Sequence, residues 1–189
     1  MPSTEQEQGR RLHNQAILIR RAGGLDKARA LYQEALRIKE SASVPSETSF
    51  SYAQSLDGLG LTELAAGNYL EAHGYFQRSL EIYKRILHPA DGVRVDATTN
   101  LIEVANACGN HVVAFLLAEE KEAELVGAPD APLSREDCIA ILNLLSEGII
   151  AAEKIGEHSA STRWKMERTA IGCALEDRAK QRLSSLTCN

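Results

Sequence analysis

The chain has 189 residues, of which 44% are apolar, 25% charged and 5% aromatic; this is the make-up of a globular domain rich in helix formers and long enough to bury a core. It holds no apolar run of the ~18 residues that a bilayer crossing needs, and its start, Met1-Pro2-Ser3-Thr4-Glu5, lacks the basic and apolar stretches of a secretory signal, so a cytoplasmic protein away from membranes is expected. The net charge of −5 divides into +3 over residues 1–43, −8 over 44–130 and 0 over 131–189; the acidic middle excludes nucleic acid as main partner, which needs clustered Lys and Arg, and suits a partner of basic character.

Ser3-Thr4-Glu5-Gln6 has the form of a capping box, and a helix is expected from about residue 5 to 22, with Leu12, Ala16 and Ile19 on one face. Gly23-Gly24 breaks it. Its partner runs from about 25 to 40, burying Ala28, Leu31, Tyr32, Ala35, Leu36 and Ile38 and turning Lys27, Arg29, Gln33, Glu34 and Arg37 to water. After the breaker around Pro45, where Ser46 is placed to cap, a second pair is expected over about 47–66 and 69–87. Asn68 is placed to cap its second helix, with Glu71 as box partner. Gly60 falls inside a helix, where glycine costs up to about 1 kcal/mol, and is read as the place where a neighbouring helix comes close.

A third pair is expected over about 93–108 and 111–126, turning at Gly109-Asn110. Gly127-Ala128-Pro129-Asp130-Ala131-Pro132 reads as a loop, Ser134 as the cap of a long apolar helix to about Ile155, and Gly156 as its stop. A last helix runs from about Ser159 into the 180s, with Trp164, Ile171 and Leu175 on one face and a frayed end from Ser184. The cysteines, Cys108, Cys138, Cys173 and Cys188, form no metal-type pair; the first three are expected as semi-buried free thiols and Cys188 as the first to oxidise.

Aligning the turn glycines puts Gly23/Ala28, Gly67/Ala72 and Gly109/Ala114 in register, with alanines 44 and 42 residues apart and Tyr32, Phe76 and Ala118 four positions further on. Helix-turn-helix units recurring at a fixed period mark an α-solenoid. In order, Leu59, Gly60, Gly67, Tyr69, Ala72 and Phe76 resemble the small and large positions of tetratricopeptide repeats, as do Gly23, Ala28, Tyr32 and Ala35. The long period resembles the repeats of kinesin light chains. The likeness covers about residues 10–126; Ala118 departs from the family's large residue, and the pair after 133 matches only loosely, as a degenerate repeat capping the chain.

The resemblance implies an all-α, right-handed solenoid of antiparallel helix pairs. It makes residues 1–189 one domain, with hairpins at about 5–41, 46–88, 91–127 and 133–184. It also implies a peptide groove lined by the first helix of each pair. Carried over position by position, that groove holds Arg10, His13, Asn14 and Ile17; Gln54, Asp57 and Leu61; Asp96, Asn100, Glu103 and Asn106; and Asn143 and Ser146. Where some family members clamp a C-terminal carboxylate, this chain has His13, Asp57, Thr99 and Asn100, whose acidic share argues against an acidic tail as ligand.

The expected function is therefore a peptide- or protein-binding scaffold without cofactor. A self-associating module that stacks end to end is the alternative, and a small enzyme using a solenoid cavity is a second one. The five histidines, His13, His73, His88, His111 and His158, fall singly, in no pattern that holds zinc, and no phosphate-binding or nucleophile motif occurs.

Overall fold

The computed structural model describes residues 4–41, 49–126 and 134–187, and side chains as far as Leu175; the caps and breakers expected at Ser3 and Ser46, the loop over 127–132 and Cys188 lie outside them. All regular structure among the described residues is helical: α1 (Thr4–Arg21), α2 (Leu25–Ser41), α3 (Phe50–Ala65), α4 (Tyr69–Ile86), α5 (Gly92–Ala107), α6 (His111–Val126), α7 (Arg135–Ile155) and α8 (His158–Thr187). The fold is an all-α repeat solenoid of four helical hairpins, and it divides into two compact units, residues 1–88 and 89–189.

Each hairpin turns in the same way. Gly23, Gly67, Gly109 and Gly156 all have φ between 74° and 83°, a region that costs glycine nothing. The next amide donates to the carbonyl five residues back in every case: Gly24 to Ile19, Asn68 to Glu63, Asn110 to Ala105 and Glu157 to Ala152, at 2.8–3.0 Å. This is the Schellman closure, which satisfies carbonyls left over at a helix end. The fourth hairpin thus shares the turn of the other three.

In the first unit α1 pairs with α2 and α3 with α4, and α2 packs on α3. The interior glycines of α3 mark where rings arrive. A Cβ on Gly60 would lie 2.5 Å from the Phe76 ring of α4, and one on Gly58 2.3 Å from the Tyr32 ring of α2. Phe76 and Tyr32 are fully buried there. Gly60 therefore serves close helix approach, as its position in the pattern indicated.

The second unit repeats the device with its volumes rearranged. Gly148 of α7 leaves 2.9 Å between a hypothetical Cβ and the Trp164 ring of α8, so this pair plays in the fourth hairpin the part of Gly60 and Phe76 in the second. In the third hairpin the large residue sits on the other helix. Ile102, seven positions before the turn glycine, shares a buried cluster with Ala118, nine positions after it. That exchange accounts for the missing aromatic at 118, since a core needs the volume and not a particular helix to supply it.

The caps differ from expectation at Asn68. Ser49 accepts from the Tyr52 amide and starts α3. Asn68 makes no side-chain cap on α4; its amide donates to Glu63 instead, at 2.7 Å. Ser134 caps α7 in a full capping box with Asp137, and Asp137 also accepts from the Gly92 amide at 2.7 Å, tying the starts of α5 and α7. Burial opposes the charge on Asp137, but hydrogen bonds from Ser134 and Gly92 more than offset it and hold the carboxyl below its usual range. Of the three cysteines among the described residues, Cys138 is buried; Cys108 closes α5 in an exposed turn and Cys173 lies on an exposed face of α8, so neither is the semi-buried residue expected.

Candidate functional site

The first helices of the hairpins carry every expected groove residue. In the second unit α5 and α7 lie side by side. Asp96, Asn100 and Glu103 recur on α5 at helical spacing and are exposed or half-buried, and Asn143 is exposed on α7. The two helices are joined on this side by Asn106, whose amide donates to the Glu147 carbonyl at 3.2 Å and carboxylate at 3.0 Å, while His111 Nδ1 lies 3.1 Å from its oxygen. Ser146 is turned onto its own helix, donating to the Leu142 carbonyl, and receives a bond from Arg168.

Two carboxylates of this face are perturbed. Burial raises Asp96, and burial together with the Glu147 charge raises Glu103. Both side chains still reach solvent. A carboxylate that is open to water yet has lost part of its hydration to the surrounding protein is less stable in its charged form. It gains most from a cation brought to it.

The first unit treats its expected residues differently. Arg10, Asn14 and Gln54 are exposed, and Ile17 and Leu61 half-buried. Asp57 is committed to α4, accepting from the hydroxyls of Ser79 and of Tyr83, the latter at 2.8 Å. His13 turns inward, packs edge-on against Tyr32 at 5.5 Å, and has Nδ1 3.1 Å from Ser55 Oγ. That serine is fully buried and also receives a hydrogen bond from Lys39 Nζ at 2.7 Å. Lys39 donates to the Ser51 carbonyl as well, at 2.6 Å, and among the described residues it pairs with no carboxylate.

An ammonium that is 8% exposed and lacks a counter-ion is costly. Burial drives Lys39 down to about 8. Burial, with the Lys39 charge, drives His13 down to about 4. Because the folded value for Lys39 lies below its unfolded one, the folding free energy carries the full penalty below about pH 8 and sheds it as the pH rises toward 10.5. Lys39→Met is expected to raise stability at pH 7 by about 1–3 kcal/mol and to remove this slope. Urea melts at pH 7 and pH 10 check it; equal gains at both would show that the charge is not the cause.

Sequence reasoning missed this cluster, although the signal was present, since Lys39 falls in phase with the buried Ala28, Tyr32 and Ala35. It also placed Arg29 in water. Arg29 instead spans to α3, donating to both Glu63 carboxylate oxygens at 2.5 and 3.0 Å, and Glu63 is 4% exposed. In the second unit Lys121, 3% exposed, donates to the Pro89 carbonyl at 2.7 Å and to Glu124 at 2.8 Å, and Arg94 also bonds Glu124, locking α5 to α6. Among the described residues no group of three His, Cys, Asp or Glu is placed to hold a metal, and no helix is long and apolar enough to cross a membrane.

Residues 8–85 match the family model described as tetratricopeptide repeat. Among solved structures, a Podosopora anserina putative kinesin light chain with nearly identical TPR-like repeats is 18% identical, with a TM-score of 0.72 over 93% of this chain and 80% of that one. A second structure of that kinesin light chain gives 0.70 at 18% identity, over 88% of this chain and 75% of that one. BtubC (BKLC) from P. vanneervenii is 19% identical, with a TM-score of 0.71 over 87% of this chain; the match spans 63% of the BtubC chain, less than two thirds of its length. At these identities the likeness is one of fold. No match is found among curated proteins. Residues 8–85 thus carry the sequence pattern of tetratricopeptide repeats, and over most of its length the chain has a fold similar to that of kinesin-light-chain-like repeats.

Proposed function

We propose that this protein is a scaffold that binds an extended peptide or protein segment of basic character along the first helices of its hairpins. Tetratricopeptide repeats commonly mediate protein–protein interaction, which supports the general reading. The observation that carries the finer one is the pair of solvent-reached but desolvated carboxylates, Asp96 and Glu103, lying on one stripe of α5 with Asn100 between them. A Lys or Arg side chain laid against them replaces lost hydration and relieves the Glu103–Glu147 repulsion. Asn100 and, on the neighbouring α7, Asn143 each offer a donor and an acceptor for the backbone of an extended ligand. In the first unit Arg10 and Asn14 are exposed and Leu61 half-buried on the first helices, and they are the groups proposed to contact ligand there, while His13 and Asp57 hold α1 and α3 to their neighbours. Rigid helices reduce the ordering cost of binding to that of the ligand.

The test is a calorimetric titration with an extended Lys/Arg-rich peptide and its Glu/Asp-rich counterpart. The basic peptide is expected to bind and the acidic one not. Glu103→Gln is expected to weaken binding about tenfold, the loss of about 1.4 kcal/mol for a charge-assisted contact, while leaving thermal stability unchanged or slightly higher because the repulsion from Glu147 is gone. Asn143→Ala weakens it as well. The sign with pH is also set: Asp96 and Glu103 protonate above their ordinary values, so affinity falls on acidification earlier than ordinary carboxylates would allow. Equal affinity for both peptides, or for wild type and Glu103→Gln, refutes the reading.

A further inference from the structure

Between α2, α3 and α4 of the first unit lies a pocket of about 440 Å³ that none of the expected groove residues lines. That volume falls in the range of small-molecule sites, ~300–1,000 Å³. Its floor is apolar and buried, formed by Leu56, Ile82 and the ring of Tyr52. Its rim is charged, with Glu40, Arg78, Glu81 and Arg85.

The rim is partly preorganised. The Tyr52 hydroxyl donates to Glu40 at 2.6 Å and accepts from Arg78 Nη2 at 3.1 Å. Burial and the Glu40 carboxylate push Tyr52 up to about 12, so this hydroxyl remains a proton donor to Glu40 at neutral pH. One arm of the Arg78 guanidinium is thereby held in place over the floor. Its other donors form no ion pair with any described residue, and neither does the Glu81 carboxylate three positions further along α4. A cation and an anion one helical turn apart thus face the same apolar floor without neutralising each other.

The charge balance selects the ligand. A simple anion meets Glu81 and Glu40 as well as Arg78, and a simple cation meets Arg78 and Arg85. A neutral apolar molecule desolvates charges and offers them nothing in return. A molecule carrying one carboxylate, one ammonium and an apolar branch satisfies all three surfaces at once.

We propose that this pocket binds a free α-amino acid with an apolar side chain, its carboxylate on Arg78, its ammonium on Glu81 and its side chain over Leu56 and Ile82. Because α2 belongs to the first hairpin and α3 and α4 to the second, a ligand seated there bridges the two and stiffens the unit. The site is independent of the first-helix face and stands or falls without it.

The experiment titrates the full chain with L-leucine and L-phenylalanine, and in parallel with their N-acetyl and amide derivatives, following side-chain NMR resonances of Tyr52, Leu56 and Ile82. Saturable shifts with a Kd below about 1 mM are expected for the free amino acids, and at least about tenfold weaker binding for each derivative, because one charged contact is lost. Arg78→Gln should abolish the preference over the amide and Glu81→Gln the preference over the N-acetyl form. Both are exposed positions, and an unchanged melting curve shows that the fold is kept. Absence of saturable shifts at 10 mM-scale ligand, about tenfold above the expected Kd, overturns the proposal. So does equal binding of all three forms, or binding indifferent to both substitutions.

Discussion

Gly60→Ala is expected to destabilise the first unit by about 2–4 kcal/mol, although alanine is the better helix former by about 1 kcal/mol. Two effects oppose each other, and distance decides between them. The new methyl would sit 2.5 Å from Cε1 and 2.7 Å from Cδ1 of Phe76, whereas carbon atoms rest at about 3.5–4.0 Å. Phe76 is fully buried and has nowhere to swing, so the ring or the helix must move by about an ångström, and a close-packed core resists that. Gly58→Ala is expected to behave alike against Tyr32, whose ring would lie at 2.3 Å. Gly74 in α4 is the control. A Cβ there meets nothing within 4 Å, so Gly74→Ala is expected to stabilise by about 0.5–1 kcal/mol through helix propensity alone. Urea melts of the three variants, with Phe76→Leu added to Gly60→Ala, complete the test. If the smaller side chain recovers none of the loss, contact with Phe76 is not its cause.

Glu63→Ala is expected to cost about 3 kcal/mol, the lower end for breaking a buried ion pair, since the Arg29 side chain it strands is 26% exposed and can still find water. Glu63 is the hub where α2, α3 and the second turn meet. It accepts hydrogen bonds from Nε and Nη2 of Arg29 and from the side-chain amide of Asn68. The Arg29 hydrogen bonds pull the Glu63 carboxyl below its ordinary value against the effect of burial. In return Glu63, and less so Asp26, raises the guanidinium. A carboxyl with a depressed folded value contributes stability that is complete above its unfolded pKa near 4.3 and is lost as the pH falls through the folded one. Wild type is therefore expected to lose stability on acidification below about pH 4.5 in excess of Glu63→Gln, which lacks the titrating group. Replacing Arg29 and Glu63 together by Met should cost far less than either alone, because no charge is left stranded. Parallel pH dependences for wild type and Glu63→Gln would show that the pair contributes nothing beyond packing.

The hairpins were legible because their signals are local. A glycine at positive φ after an apolar-periodic run, a small residue five positions later and an aromatic four beyond it lie within one stretch of chain, and each acts through the backbone it sits on or the adjacent helix. The loose fit of the last pair had an equally local reason, since its large residue, Trp164, comes eight positions after the turn glycine where Phe76 comes nine after its own. A one-residue shift rotates a helix face by about 100° and hides the likeness from an alignment by position, yet Gly148 lies eight before the same turn and restores the contact.

Polar residues at the border of a helix face were not legible. Arg29 follows the buried Ala28 by one position, so periodicity alone assigned it to water, and only the placement of α3 brought Glu63 within reach. Lys39, in phase with the buried face of α2, became a buried cation because Gly9 of α1 lets that helix close over it, with a hypothetical Cβ 3.2 Å from its side chain. The residues expected in a groove show both outcomes. Asp96 and Glu103 remain reachable from solvent, whereas Asp57, with the same spacing argument behind it, spends its carboxylate on α4.

By itself, then, the sequence determined which segments are helices, where they turn, that Gly60 lies at a close helix approach, and the repeat family that the pattern of the first two hairpins matches. These are properties of neighbours along the chain and of a period that repeats. Tertiary structure decided which charges are paired, which are stranded and where a pocket opens. Glu40, Tyr52 and Arg78 belong to three helices and form one network only after those helices pack. Hydrogen bonds and ion pairs act over about 3 Å, while a helix face leaves the direction of a long side chain open by several times that distance.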